Sequence, residues 1–315
     1  MIGEDIKAYK IIHEGDFAYN PARINVGSIA KYDKSEPCMI SSLYVCFKAL
    51  PQINNEWLMQ LLKTPKMNFY YNVNGEGGVR VYLFYPNFAR IRTSYPSLAE
   101  QQKIASFLSL LDQRIETQRK IIEDLKKLKD AISFILFTSE TCDKWELSNL
   151  ATIVMGQSPS SQCYNTDNDG LPLIQGNLDI TKGKLTPRLY SSEMTKKCHT
   201  GDVILTVRAP VGEVAIADFD ACIGRGVCAI RPFNNNYSVL IYQFLQHYKP
   251  KWISLEQGST FTSVSRNDIM SIKIWVPSIR AIEILNILDD KISIEDVILN
   301  NLNSQKNYLL AQMFI

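Results

Sequence analysis

The sequence predicts an α+β protein in which a domain with a mixed β-sheet and a long helix each occur twice. Three observations predict this fold class. A Gly-Asp turn pattern recurs in the same order, short strand-like runs alternate with glycine and asparagine turns, and two long helical stretches carry a heptad stripe. Because both halves show these features in the same order, an internal repeat organises the chain.

Each copy begins with a Gly-Asp turn, a strand-like run, a glycine turn and a further short strand. The matching positions are Gly15-Asp16 with Gly201-Asp202, Gly27 with Gly212, and residues 41–48 with residues 223–230. Each copy continues with a short helical pattern that ends at Pro-Lys, a Gly-rich loop, and a strand that closes on Pro-Ser. These positions are Pro65-Lys66 and Pro250-Lys251, residues 75–78 and the loop around Gly258, and Pro96-Ser97 and Pro277-Ser278.

Beyond each closing proline the hydrophobic period becomes helical. Apolar residues recur at alternating three- and four-residue steps, which is the coiled-coil pattern. The predicted seam contains Ile115, Ile122, Leu125 and Ile132 in the first helix, and Ile292, Leu299, Leu302 and Leu309 in the second. Polar residues interrupt it at matching places, Gln118 and Lys129 against Glu295 and Lys306. We expect the helices to pack side by side and antiparallel; the alternative is that each packs only on its own domain.

These patterns divide the chain into four parts: a first domain at residues 1–97, a helix at 98–140, a second domain at 145–278 and a helix at 279–315. The second domain has a long front that starts near Trp145, whereas only 14 residues precede Gly15. We therefore expect the first domain to be a partial copy of the second.

Composition limits the classes of protein that the chain can belong to. At 315 residues and 46% hydrophobic residues it can form one large or two ordinary domains. Its longest apolar stretches are too short to span a bilayer, and no secretion signal is recognised. Seven scattered cysteines without a CxxC pair predict free thiols and a cytoplasmic location. A formal charge of +2 does not by itself indicate nucleic-acid binding, so any such surface must be local.

Motifs for catalysis and cofactor binding are not recognised. There is no Gly-rich dinucleotide fingerprint and no phosphate loop. The segment nearest to the base-holding loop of an adenine methyltransferase, Tyr19-Asn20-Pro21-Ala22, lacks the second proline and the aromatic residue. The three histidines are too dispersed for a metal site. We therefore predict no catalytic residues, no cofactor and no metal.

Several blocks resemble the specificity subunits of type I restriction-modification enzymes. They are residues 15–28, 96–104, 147–151, 156–159 and 172–177. The resemblance implies two target-recognition domains, the first one partial, which each read half of a bipartite DNA site and are separated by two long antiparallel coiled-coil helices. It also implies docking of modification (methyltransferase) subunits, which recruit restriction subunits, and no role in a membrane. The second helix departs from the family pattern, because its start lacks the Glu-Gln-Gln found at residues 100–102.

Candidate DNA contacts are polar and basic residues in turns, because Arg, Lys, Asn and Gln read base edges while phosphates need donors and positive charge. In the second domain they are Gln157, Ser158, Gln175, Asn177, Lys184, Arg208, Arg225, Thr260, Phe261, Thr262, Ser263 and Arg266; in the first they are Asn20, Arg23, Asn25 and Arg80. Two alternatives remain open. These residues can be ordinary surface positions, and the chain can be a coiled-coil adaptor that binds only protein.

Overall fold

The computed structural model describes residues 8–78, 81–138, 143–256 and 263–314. The chain divides into two compact units, Met1–Lys120 with Asp296–Ile315, and Ile121–Glu295. The helices are α1 (Asn55–Leu62), α2 (Pro65–Asn74), α3 (Tyr85–Phe88), α4 (Leu98–Thr138), α5 (Asn236–Glu256), α6 (Arg266–Met270) and α7 (Ile279–Met313). The long helices α4 and α7 contribute to both units. None of the helices in the described ranges is long and apolar enough to cross a membrane.

The described residues of the first unit form five short strands. They are β1 (Lys10–Ile12), β2 (Phe17–Tyr19), β3 (Ile29–Lys31), β4 (Cys38–Ile40) and β5 (Val45–Phe47). β1 pairs with β4, and the other three form an antiparallel sheet in the order β3-β2-β5. The core contains Phe17 and Tyr19 from β2, Trp57 from α1, Leu108 from α4 and Phe314.

In the second unit, the part of the chain that the structure describes contains thirteen strands. They are β6 (Asp143–Glu146), β7 (Ala151–Met155), β8 (Tyr164–Asn165), β9 (Leu171–Ile174), β10 (Ile180–Thr181), β11 (Lys184–Leu185), β12 (Leu189–Ser191), β13 (Lys197–Cys198), β14 (Val203–Thr206), β15 (Val214–Ile216), β16 (Ala221–Ile223), β17 (Val227–Pro232) and β18 (Lys273–Val276). Two larger sheets have the orders β15-β14-β17-β7 and β13-β16-β9-β12-β8, while β10 pairs with β11 and β6 with β18. One core of this unit lies between the four-stranded sheet, α5 and the second-unit parts of α4 and α7.

The Gly-Asp turn has the same hydrogen bonds in both units. The N–H of His13 donates to the Asp16 carboxylate at 2.9 Å, and the N–H of His199 donates to the Asp202 carboxylate at 2.8 Å. The two turns were predicted to be equivalent, and their backbone conformations agree with this. Gly15 and Gly201 have φ values of +84° and +92°. Left-handed backbone of this kind favours glycine, since a Cβ is strained there.

The strand pairs show that the alignment of residues 41–48 with residues 223–230 must shift by one residue. Phe17 faces Phe47 across the first sheet, and Val203 faces Ile230 across the second. Phe47 therefore corresponds to Ile230, and Lys48 corresponds to Arg231 rather than to Ile230. The two basic residues contact the turn aspartates, since Lys48 lies 3.6 Å from Asp16 and Arg231 lies 2.9 Å from Asp202.

Two sequence-based boundaries were wrong. The predicted helical patterns do not end at Pro-Lys, because Pro65 begins α2 and Pro250 lies inside α5. Proline is favoured at the first helical position, where its missing N–H needs no partner, and the Thr64 side chain accepts from the Met67 N–H at 3.2 Å. Pro250 lies in the interior of α5, so this reason does not apply to it.

The predicted strand before Pro96 is also absent from residues 81–97. The β-pairing found there is an isolated antiparallel bridge between Tyr82 and Glu76. The counterpart of the predicted strand, β18, closes on Pro277 as predicted, and pairs with β6 along four residue pairs. β6 belongs to the front of the second domain, and the described residues 8–78 and 81–97 contain no counterpart of it. A strand without a neighbouring strand leaves its backbone groups unpaired, so the first copy does not form it.

In each unit, segments of α4 and α7 pack antiparallel. In the second unit Lys129 of α4 lies 2.6 Å from Asp289 of α7, and Phe137 near the end of α4 shares a core with Ile282 near the start of α7. In the first unit Lys306 of α7 forms an ion pair with Asp112 of α4. The predicted seam positions are all buried or half-buried: Ile115, Ile122, Ile292 and Leu302 are buried, and Leu125, Ile132, Leu299 and Leu309 are half-buried.

Candidate nucleic-acid interface

Several segments of the second unit meet at one edge of its two larger sheets. β9 and β16 run parallel, so Gln175 and Gly224, which follow them, lie at the same edge. β7 and β14 both end opposite the first residues of β17, which places the segments that follow them beside the turn between β16 and β17. We call this surface the loop edge. It consists of Gln157, Ser158, Gln175, Arg208, Arg225 and Ser263, all of them predicted DNA contacts.

Ser158, Gln175 and Arg225 are held together by backbone contacts. The Arg225 N–H donates to the Ser158 hydroxyl at 3.1 Å, and the Gln157 N–H donates to the Ile223 carbonyl at 2.9 Å. A Cβ on Gly226 would lie 2.1 Å from the Gln175 carbonyl oxygen, so only glycine allows this approach. The Arg225 side chain is exposed. A backbone held by hydrogen bonds therefore presents a cationic side chain to solvent.

Arg208 joins the same surface through its neighbours. The Val207 N–H donates to the Gly226 carbonyl at 2.9 Å, and the Val264 N–H donates to the Val207 carbonyl at 2.9 Å. Arg208 and Ser263 form an isolated antiparallel bridge, and both are exposed. Arg266 is the exposed first residue of α6, next to Ser265, whose hydroxyl accepts from the Asp268 N–H at 3.2 Å. The Ser265 hydrogen bonds lower the pKa of Asp268, so that carboxylate is charged at neutral pH.

Asp179 was not predicted from the sequence, although it holds the backbone of the loop edge at Gln175. Its buried carboxylate accepts from the Gln175 N–H at 2.8 Å and the Gly176 N–H at 3.3 Å, and Arg188 lies 2.9 Å from its other oxygen. Asn177, half-buried, begins the 3-10 turn that ends at Asp179. The available signal was an acidic residue in the first turn after a glycine, which fits backbone N–H capping.

Some predicted contacts lie elsewhere. Lys184 is exposed on β11, but a Cβ on the preceding Gly183 would lie 2.2 Å from the Tyr242 hydroxyl oxygen, which places this hairpin against α5. Thr260, Phe261, Thr262 and Arg80 lie outside the described residues.

The first unit has a smaller version of this surface. The Leu83 N–H donates to the Pro21 carbonyl at 3.0 Å, as Val264 does to Val207. Pro21 therefore corresponds to Val207, and Ala22 rather than Arg23 takes the position of Arg208. Arg23 is exposed on the adjacent turn. The half-buried Asn20 accepts from the Ala22 N–H at 2.9 Å, and the half-buried Asn25 donates to Asn72 at 3.0 Å.

A family model described as the type I restriction modification DNA specificity domain matches residues 4–127 and 140–304. The chain belongs to this family. A curated relative, the putative type I restriction enzyme MjaX specificity subunit of Methanocaldococcus jannaschii, is 30% identical over 321 residues, which cover 93% of this chain and 75% of the relative.

Solved structures share the fold of this specificity-family chain. The HsdS subunit from Thermoanaerobacter tengcongensis is 23% identical with a TM-score of 0.53, and the match covers 97% of this chain and 82% of that one. The S subunit of a type I restriction-modification system from M. genitalium is 17% identical with a TM-score of 0.68, covering 96% and 83%. A chain from work on complex assembly and conformational transition of the type I R-M system is 23% identical with a TM-score of 0.67, covering 97% and 83%.

Beneath the loop edge, the specificity-family fold is apolar. Cys228, near the start of β17, faces Met155 and Leu205 on the neighbouring strands. Burial raises the pKa of its thiol to about 12, so the thiol stays protonated at neutral pH and packs as a small apolar group. At the opposite edge, hydrogen bonds to Asp202 raise the pKa of Arg231, which fixes its positive charge beside the Gly-Asp turn.

Proposed function

We propose that this chain is the DNA-reading subunit of a type I restriction-modification complex, and that it selects the DNA site without catalysing methylation or cleavage. The loop edge carries this proposal. It combines Arg208 and Arg225, both exposed, with the amide side chains of Gln157 and Gln175 on a backbone fixed by hydrogen bonds. Arginine is suited to guanine edges and glutamine to adenine edges, and both also bind phosphate.

The proposal includes a bipartite DNA site, read half by each recognition domain. The repeat supports this, because the Gly-Asp turn and the backbone contact at Leu83 and Val264 recur in both units. The two surfaces carry different side chains, so two different half-sites are expected.

Docking of modification subunits, and of restriction subunits through them, is also part of the proposal. It is supported by an exposed apolar stripe on α4 in the second unit. Ile121, Leu128 and Ile135 recur every seven residues and are 41%, 49% and 64% exposed. Exposed apolar stripes of this kind mark protein interfaces, because burial of their surface in a partner stabilises the complex.

The proposed location is the cytoplasm. The described cysteines are free thiols, which suits a reducing compartment.

Reconstitution tests the proposed function. The purified chain, modification subunits from the same system, and their mixture are incubated with a methyl donor and a random-sequence DNA library, and methylated sites are sequenced. The chain alone should methylate nothing, and the mixture should methylate one bipartite sequence. Methylation by the chain alone would contradict the non-catalytic role. Site choice that is unchanged by the chain would instead favour the protein-binding adaptor.

A further inference from the structure

Three aromatic residues of the first unit occupy positions that are polar in the second. The Leu83–Pro21 and Val264–Val207 hydrogen bonds align the two segments, and α3 begins at Tyr85 where α6 begins at Arg266. The aligned pairs are Tyr82 with Ser263, Phe84 with Ser265, and Tyr85 with Arg266. The counterparts Ser263 and Arg266 are predicted DNA contacts, so the aromatic residues lie where the second unit meets DNA under the proposed function.

The aromatic side chains face solvent. Leu83 is fully buried, whereas Tyr82, Phe84 and Tyr85 are 37%, 48% and 51% exposed. The rings of Tyr82 and Phe84 stack with centroids 6.1 Å apart and planes 14° apart. We call these three residues the aromatic platform. Its exposure is unfavourable in water, and a ligand that covers it would remove this cost.

The backbone beneath the platform is well supported. Tyr82 and Glu76 exchange two hydrogen bonds of 2.8 Å, and Asn87 donates to the Glu76 carboxylate at 2.8 Å. The Phe84 side chain does not cap α3, although the equivalent Ser265 caps α6. A serine would suit this N-cap position better, so helix capping does not explain the phenylalanine.

We propose that the aromatic platform is a specificity determinant that contacts thymine methyl groups in the major groove of one half-site. This rests on the proposed function and deepens it. The thymine methyl is the apolar group on a major-groove base edge, and apolar side chains recognise it by contact. The second unit has hydroxyls and a guanidinium at the same positions, which suit polar base edges and phosphates. The half-site read by the first unit therefore depends on a thymine methyl at a position where the other half-site does not.

Deoxyuridine substitution tests the proposal in the assembled complex of the full chain with its modification subunits. Once the methylated sequence is known, each thymine is replaced in turn by deoxyuridine, which lacks only the methyl group. Removing one buried methyl should weaken binding about four-fold at one or two positions of a single half-site. Phe84→Ser and Tyr82→Ser are the test variants, and Phe69→Ser, at a 63% exposed aromatic position on α2, is the matched control.

In Phe84→Ser or Tyr82→Ser, thymine and deoxyuridine should bind equally at those positions, while binding to the other half-site is retained. Phe69→Ser should keep the four-fold difference. Phe84→Ser introduces the residue of the equivalent N-cap, so folding should be preserved, and thermal unfolding verifies this. A wild-type complex insensitive to every deoxyuridine, or a methyl effect that survives in both variants, overturns the proposal. Loss of all sequence preference in the wild-type complex would instead overturn the proposed function.

Discussion

Arg208 and Arg225 combine an exposed side chain with a backbone held by neighbouring segments. Arg225 donates its N–H to Ser158, and Val207, just before Arg208, donates to Gly226. Positioned backbone lowers the entropy lost when a side chain orders on a base edge. The two arginines are therefore the residues whose loss should most affect DNA recognition by the second unit.

We expect Arg208→Ala or Arg225→Ala to weaken DNA binding by the assembled complex. If the arginine reads a guanine edge, the loss should be about 1–3 kcal/mol and restricted to one base position. If it meets only phosphate, the loss should be similar for all sequences. Equilibrium binding to single-base variants of the site measures the difference. Arg119→Ala, at an exposed helical arginine, is the control, and equal losses in all three variants would contradict this assignment.

Position 226 requires glycine because the backbone of Gln175 lies too close for a side chain, not because the chain must be flexible there. A Cβ there would lie 2.1 Å from the Gln175 carbonyl, whereas a Cβ on Gly176 has nothing within 4 Å. Gly226→Ala should therefore lower the free energy of unfolding by about 1–3 kcal/mol and displace Gln175. Gly176→Ala is the matched control and should change stability little. Urea unfolding of both variants tests this, and similar stabilities would contradict it.

At the scale of helices, the same polar network attaches each domain to the helix pair. In the second unit, Lys129 contacts Asp289 at 2.6 Å and Gln246 at 2.7 Å, while Gln243 of α5 donates to Asp289 at 2.7 Å. In the first unit the corresponding contacts join Lys306 and Asp112, with Gln60 of α1 donating to Asp112 at 3.2 Å. Polar residues in a helical seam can fix register, since other registers leave them unpaired.

We expect Lys129→Met to lower the free energy of unfolding by about 1–3 kcal/mol, because it leaves the half-buried Asp289 without its cation. The Lys129 side chain is only 12% exposed, so solvent screens the pair weakly. Lys127→Met, which removes a 66% exposed partner of Glu123, should cost less than about 0.5 kcal/mol. Urea denaturation compares them. A double-mutant cycle with Asp289→Asn should give a coupling above about 1 kcal/mol, and additive losses would argue against the network.

At the scale of the whole molecule, features with a local physical cause were predictable from the sequence. The Gly-Asp turns and the heptad stripe each depend on neighbouring residues or on one period, and the structure contains the turns and buries or half-buries the stripe positions. Features that depend on distant strands were not predictable. The missing strand before Pro96 reflects the need for a partner like β6, and the position of Lys184 reflects packing against α5. The aromatic platform was missed because its alignment with Ser263 and Arg266 follows from backbone pairing, not from sequence similarity.

The salt dependence of DNA binding tests whether a few cations at the recognition surfaces, rather than the overall charge, attract DNA. The formal charge is +2, so a general positive field cannot supply strong attraction, and a few cations at the recognition surfaces must. Each phosphate neutralised contributes about −0.9 to the slope of log affinity against log salt. If Arg208, Arg225 and Arg266 each meet a phosphate, they contribute about −2.7, which is roughly a 40-fold loss between 50 and 200 mM salt. Replacing one of them by alanine should reduce the slope by about 0.9, whereas Lys127→Ala should leave it unchanged. Equal reductions in all four variants would show that the overall charge, not the loop edge and the start of α6, governs binding.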